Sequence, residues 1–353
     1  GLITWFFFYL IEYNTVMDQE ASFYQFLEDQ KVQCELCAHR CLIRPGRRGI
    51  CHVRENQAGR LVSLNYGRLI AEHVDPIEKK PLYHFLPGSK AFSIAAPGCN
   101  LRCEWCQNWQ ISQAGAEVRF DRLPYVAPQA VVEDALRTGC RSIAYTYTEP
   151  TVFYEYTRDV ARLAKSAGLK NIYVTNGYMT AEALIEITEW FDAANVDIKA
   201  FSPDVYRKMT GADLGPVLES CRALKKQGVW LEVTTLLVTG INDDRPQLEA
   251  LADFISTELG TETPWHLSRY FPQYKSKAPM TSSRSLAMAE EIGRKKGLKF
   301  IYPGNVHASV ETRCLSCDRV VLVRDDYELL ENKLVEGCCP YCDSKIAGVF
   351  TGD

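Results

Sequence analysis

The sequence predicts an α/β fold: an open, partial barrel of the (β/α)6 type, with a small cysteine-rich appendage at each end. Three observations carry this expectation. Short apolar runs alternate with helical patterns between residues 91 and 304, which means βα units with right-handed crossovers over a parallel sheet. The units number six or seven, too few to close an eight-stranded barrel. Apart from Cys140 and Cys221, the 14 cysteines fall into three groups: before the array, at its start and after it.

Taken in order, the chain opens on "GLITWFFFYLIEYNTV". Its apolar run is shorter than the ~20 residues of a membrane span, and it lacks the basic start of a signal peptide. Residues 1–16 read as an upstream extension, non-native or disordered. From Met17 the sequence is that of a soluble protein, and Phe23, Phe26 and Leu27 show helical spacing. Residues 17–90 are expected to form an N-terminal four-cysteine region, 91–304 the barrel and 305–353 the C-terminal appendage. Barrel strands are expected at 91–96, 141–148, 170–175, 194–200, 229–238, 264–270 and 298–304. Helices are expected at 128–139, 152–168, 181–191, 215–228, 245–260 and 282–297. In such sheets chemistry belongs on the loops after the strand C-termini. Those loops carry in turn three cysteines, Glu149, Thr175 with Asn176, Lys199, and Arg269 with Tyr270.

Composition removes several function classes. Hydrophobic residues at 46% and charged residues at 24% describe a globular protein. A net charge of -4 argues against a nucleic-acid binder, and Arg44, Arg47 and Arg48 read as a solvated loop. No membrane partner is expected. Short C-x2-C spacings in a chain this large favour metal ligation in a reducing compartment over disulfides, which points to the cytoplasm.

The motif "PGCNLRCEWCQNW" (97–109) places Cys99, Cys103 and Cys106 on one loop with no histidine among them. Three thiolates can hold three irons of a [4Fe–4S] cubane and leave the fourth iron open to a small molecule. Gly98 would let the backbone pass close to such a cluster. For Glu149 the plainer reading is a cap on the helix that follows, for Asn176-Gly177 a turn, and for Lys199 a solvated strand end.

This array resembles the radical S-adenosylmethionine (SAM) superfamily, where an aromatic residue, here Trp105, usually precedes the last cysteine. "TNGY" (175–178), "VDIKAF" (196–201) and "LLVTGINDD" (236–244) resemble segments of pyruvate formate-lyase-activating enzymes. "CELCAHRCLIRPGRRGICHVREN", "YTEPTVFYEY" (147–156) and the C-terminal cysteine pairs most resemble the AmmeMemoRadiSam system radical SAM protein. The resemblance implies a [4Fe–4S] cluster that cleaves SAM reductively to methionine and a 5'-deoxyadenosyl radical, which abstracts hydrogen from a substrate. It implies SAM contacts from Trp105, Glu149, Thr175, Asn176 and Lys199. Glu149 stands where the superfamily has a Gly-Gly-Glu motif, with Tyr147 and Thr148 in place of the glycines. Val174 replaces the aspartate that precedes Thr-Asn-Gly in the activating enzymes. Partners implied are an electron donor such as flavodoxin or ferredoxin, and companion Memo-like and AMMECR-type proteins.

The flanking cysteines read as further metal sites. Cys314, Cys317, Cys339 and Cys342 have zinc-ribbon spacing, with Cys338 a spare and the intervening segment a hairpin. Cys34, Cys37, Cys41 and Cys51 suit zinc or an auxiliary [4Fe–4S] cluster, and their compactness ahead of the barrel favours zinc as a folding staple. Two other functions compete with the general one: a glycyl-radical-enzyme activase, and a zinc-ribbon interaction protein with an inactive barrel.

Overall fold

The computed structural model describes residues 19–351 except 114, 116, 117 and 307, so the expectation for residues 1–16 lies outside the described residues. The N-terminal part is built from short antiparallel strands: β1 (Gln19–Glu20), β2 (Tyr24–Phe26), β3 (Val32–Cys34), β4 (Leu42–Ile43), β5 (Arg54–Gln57) and β6 (Arg60–Ser63). They form two three-stranded sheets, ordered β1-β6-β5 and β2-β3-β4. The helical spacing at Phe23, Phe26 and Leu27 is not realised. Phe23 takes φ 55°, and Tyr24–Phe26 pairs with β3, leaving Phe26 exposed. Three apolar residues alone cannot distinguish a helix turn from a strand edge.

The central sheet has eight strands in the order β14-β13-β12-β11-β10-β9-β8-β7. They are β7 (Ala71–Pro76), β8 (Lys90–Ala95), β9 (Ser142–Tyr145), β10 (Lys170–Thr175), β11 (Ala193–Asp197), β12 (Trp230–Leu237), β13 (Trp265–Arg269) and β14 (Ile301–Gly304). From β8 to β14 each strand is parallel to the next, and the edges do not meet. β9 is buried along its whole length, as a parallel strand covered on both faces must be. Only β7 runs antiparallel, beside β8. Its residues "AEHVDP" are mostly exposed, so it offers no apolar run to read.

The helices are α1 (Trp109–Ser112), α2 (Pro128–Arg137), α3 (Tyr154–Ser166), α4 (Ala181–Thr188), α5 (Pro203–Thr210), α6 (Leu214–Lys226), α7 (Arg245–Phe254) and α8 (Ser283–Lys295). Sequence-encoded caps begin several of them: Thr180, Ser202, Asp244 and Ser282 each accept a backbone N–H at a helix start. The helix expected over 245–260 changes to a π turn at Ile255–Leu259. No helix among the described residues is long and apolar enough to cross a membrane.

After the barrel, β15 (Ser309–Arg313), β16 (Val320–Asp325) and β17 (Glu328–Asn332) form an antiparallel ribbon with the expected hairpin. It is fastened to the barrel by buried polar groups. Arg324 donates to the Thr312 hydroxyl at 3.0 Å and to the Tyr83 carbonyl at 2.5 Å. His84 lies between the Tyr302 hydroxyl and the Ala347 carbonyl, each 2.6 Å from a ring nitrogen. The Tyr83 and His84 amides donate to Glu232 on β12.

Candidate active site

A cavity of about 400 Å³ opens at the C-terminal ends of the parallel strands. Each strand end brings what its sequence carries. Cys99, Cys103, Trp105 and Cys106 come from the loop after β8, Glu149 from that after β9, Thr175 and Asn176 from the end of β10, and Lys199 from beyond β11. All eight line the cavity. Arg269 and Tyr270 do not: Arg269 turns to the Ser283 hydroxyl at 3.1 Å and Tyr270 is buried.

The cysteine loop is gripped from outside. Gly98 takes φ +111°, and a Cβ there would lie 2.6 Å from the Val53 side chain and 3.2 Å from the Cys51 carbonyl. The expectation that this glycine makes room for a cluster is therefore corrected: the room is made for the N-terminal region. Within the loop, Cys103 is buried while Cys99 and Cys106 are partly exposed. The Leu101 amide donates to Cys99 Sγ at 3.4 Å, Asn176 Nδ2 lies 3.7 Å from it, and the Ser112 hydroxyl is 3.1 Å from Cys106 Sγ. Burial pushes the Cys103 thiol up to about 12 and holds Cys99 well above its ordinary value. Such thiols keep their protons at neutral pH until a metal takes the proton's place. Three sulfurs converging on one cavity, without histidine or a carboxylate ligand between them, fit a thiolate-bound iron–sulfur cluster.

Glu149 is buried and fully engaged. Its Oε1 accepts from the Thr151 amide (3.1 Å), the Thr151 hydroxyl (2.6 Å) and the Thr175 hydroxyl (2.7 Å), and its Oε2 from the Asn176 amide (2.8 Å). The capping reading is thus met, for Glu149 caps the turn Pro150–Phe153. The same carboxylate faces the cavity, so the two roles coexist. Burial raises its pKa, against the hydrogen bonds from Asn176, Thr151 and Thr175. The residue two before it, Tyr147, takes φ +64°, a left-handed backbone that glycine adopts freely and tyrosine seldom does. Tyr147 is held there by its hydroxyl, which donates to Asp75, by Lys80 Nζ 4.3 Å from its ring centroid, and by Asn108 Nδ2 on its carbonyl at 2.8 Å.

Lys199 pairs with Asp197 at 2.8 Å, and both line the cavity. Burial opposes its charge, but the Asp197 carboxylate beside it outweighs burial and pushes its pKa up, so it stays an ammonium. Asp197, Asp75 and Lys80 were not singled out from the sequence. Asp197 sits within the "VDIKAF" segment and was readable by the strand-end rule. Asp75 and Lys80 arrive on and just after β7, outside the βα repeat, and no sequence signal marks them. Lys80 is buried, 2.7 Å from Asp75, and burial lowers it to about 8.

Comparison with known proteins decides the family. Residues 93–255 match the model of the radical SAM superfamily. Over 335 residues the chain is 42% identical to the uncharacterized protein MJ0808 of Methanocaldococcus jannaschii, covering 93% of this chain and 98% of that one. The chain belongs to the radical SAM superfamily. It is also 28% identical over 168 residues to a GTP 3',8-cyclase of Aeromonas hydrophila, covering 44% of this chain and 47% of that protein. To the pyruvate formate-lyase-activating enzyme of Staphylococcus epidermidis it is 26% identical over 183 residues, covering 48% and 70% respectively. Superfamily members are enzymes, and membership implies a [4Fe–4S] cluster and SAM.

In this radical SAM chain each appendage carries a further group of four cysteines. In the C-terminal ribbon, Cys314, Cys317, Cys339 and Cys342 bring their sulfurs within 4.8 Å of one another, a group that could hold a metal ion. Cys338 stands apart, its thiol directed to the Glu336 carbonyl at 4.0 Å. Tyr327, on the turn between β16 and β17, reaches Asn305 at 3.3 Å, and both residues line the cavity. Cys34, Cys37, Cys41 and Cys51 line a separate small cavity with His39 and Arg54.

Proposed function

We propose that the chain binds SAM in the 400 Å³ cavity and uses it for hydrogen abstraction from a protein, peptide or small-molecule substrate. The observation that supports this most is the sharing of one cavity by Cys99, Cys103 and Cys106 with Glu149, Thr175, Asn176 and Lys199. When bound, the cluster and SAM supply reductive cleavage to methionine and a 5'-deoxyadenosyl radical. The chain's own residues orient and shelter. Glu149, held in place by its donors from Thr151, Thr175 and Asn176, would accept from the SAM ammonium. Lys199, held as an ammonium by Asp197, would balance the methionine carboxylate or bind the ribose. Trp105, buried and lining the cavity, would help exclude water from it.

The segments shared with the AmmeMemoRadiSam system protein support membership of that system, with Memo-like and AMMECR-type companions, a flavodoxin or ferredoxin as donor, and a cytoplasmic location. The S4 donor set supports zinc in the ribbon. The activase reading has less support, because Val174 lines the cavity where the activating enzymes carry an aspartate.

The test is anaerobic reconstitution, reduction and assay for 5'-deoxyadenosine. The expected result is SAM cleavage together with broad absorption near ~400 nm, both lost in Cys99→Ala/Cys103→Ala/Cys106→Ala. Cleavage that survives in the triple variant would overturn the reading.

A further inference from the structure

The three cysteine groups differ in how tightly their sulfurs converge. In the ribbon, Cys314 and Cys342 are 3.5 Å apart and Cys317 and Cys339 are 3.7 Å apart. That is the spacing of one tetrahedral ion, since Zn–S bonds of about 2.3 Å put sulfurs ~3.8 Å apart. Among the described residues, no other group of three or more such ligands lies within 4.8 Å of one another. The N-terminal four are therefore spread more widely than a single ion would hold them, yet all four line one small cavity. They share this wide spacing with Cys99, Cys103 and Cys106, whose donor set fits a cubane. A cubane has metal and sulfide at alternate corners, so its cysteine sulfurs stand farther apart than those around one ion.

We propose that Cys34, Cys37, Cys41 and Cys51 hold a second iron–sulfur cluster rather than the zinc ion that their compact sequence spacing suggests. The surroundings suit it. Arg54 Nη1 donates to Cys34 Sγ at 3.5 Å, and an N–H donor to a cluster thiolate is a means of setting its potential. Arg54 is itself buried and paired with Glu155, so the donor is fixed in place. The site also abuts the catalytic loop. His39, between Cys37 and Cys41, has Nε2 2.7 Å from the carbonyl of Asn100, the neighbour of Cys99, and the Cys51 carbonyl packs on Gly98. The N-terminal site is therefore in contact, through His39 and Cys51, with the loop that carries Cys99.

Acid-labile sulfide separates the alternatives, because a cluster brings inorganic sulfide and a mononuclear zinc or iron site brings none. In the anaerobically reconstituted Cys99→Ala/Cys103→Ala/Cys106→Ala chain, about four sulfides and the ~400 nm band are expected to remain, out of about eight in the unaltered chain. A triple variant that folds without sulfide would overturn the proposal. Should that variant not fold, Cys34→Ser/Cys37→Ser in the otherwise intact chain is expected to lose about half the sulfide; an unchanged content would overturn it. Neither readout uses SAM cleavage, so failure of the proposed activity would leave this assignment standing.

Discussion

At the scale of single residues, Glu149 carries the most chemistry. Its carboxylate satisfies four protein donors and still borders the cavity, so Glu149→Gln is expected to act twice. The lost charge should weaken SAM binding by about 1.5–3 kcal/mol, roughly ten- to a hundredfold. The new amide also turns a donor toward the Asn176 amide or the Thr175 hydroxyl, which should lower stability by about 1–3 kcal/mol. Calorimetric titration with SAM and a melting curve on the same variant separate the two effects, and cluster absorption should persist. Because burial raises the Glu149 pKa above 4.5, the folded state binds that proton more tightly than the unfolded one. Its stabilising contribution is complete below 4.5 and is lost as pH rises through its folded value. SAM affinity should accordingly fall as pH drops through that raised value. Tyr147 gives a second prediction. A β-branched residue cannot settle at φ +64°, so Tyr147→Val should be about 1–3 kcal/mol less stable than Tyr147→Gly and should bind SAM more weakly. Urea midpoints of the pair check this.

At the scale of elements, the strands that could be read were those that are buried runs. "SIAY" and "KNIYVT" lie in the middle of the parallel sheet and are largely buried, and such strands announce themselves by apolar density. Because those strands could be placed, so could Cys99, Glu149, Thr175, Asn176 and Lys199 at their ends. β7 could not, since an antiparallel edge strand with exposed Glu72 and His73 follows neither pattern. With β7 went Asp75 and Lys80, which support Tyr147. The N-terminal strands are two to four residues long, too short for any period to show. At Gly98 the sequence shows the need for a glycine but not the neighbour that imposes it, because contact with Val53 is long-range and leaves no local mark. The ribbon was legible from cysteine spacing alone. If its four sulfurs hold a metal, Cys314→Ser or Cys342→Ser should release it and lower stability while the catalytic cluster's absorption remains. Metal analysis of each variant, paired with its visible spectrum, checks both halves.

At the scale of the whole molecule, barrel and ribbon are joined through His84. Burial depresses its pKa to about 4 from 6.5, and the nearby Glu232 charge only partly opposes this. A depressed histidine favours the folded state at pH above 6.5, and that stability is lost as pH falls toward 4. The whole chain should therefore lose about 3 kcal/mol across this window from His84 alone. Denaturant titrations at neutral and acid pH, repeated on His84→Gln, should show the slope flattened in the variant.

The turn bearing Tyr327 has one more consequence. The hairpin of a ribbon whose four sulfurs could hold a metal forms part of the rim of the cavity where SAM would be split. Metal supply would then govern fidelity rather than capacity. A chain lacking its ribbon metal would still consume SAM, but at a gaping chamber, and more of each turnover would be quenched before reaching a target. Its signature would be 5'-deoxyadenosine in excess of product, a ratio that rises as the ribbon is emptied and returns when metal is restored.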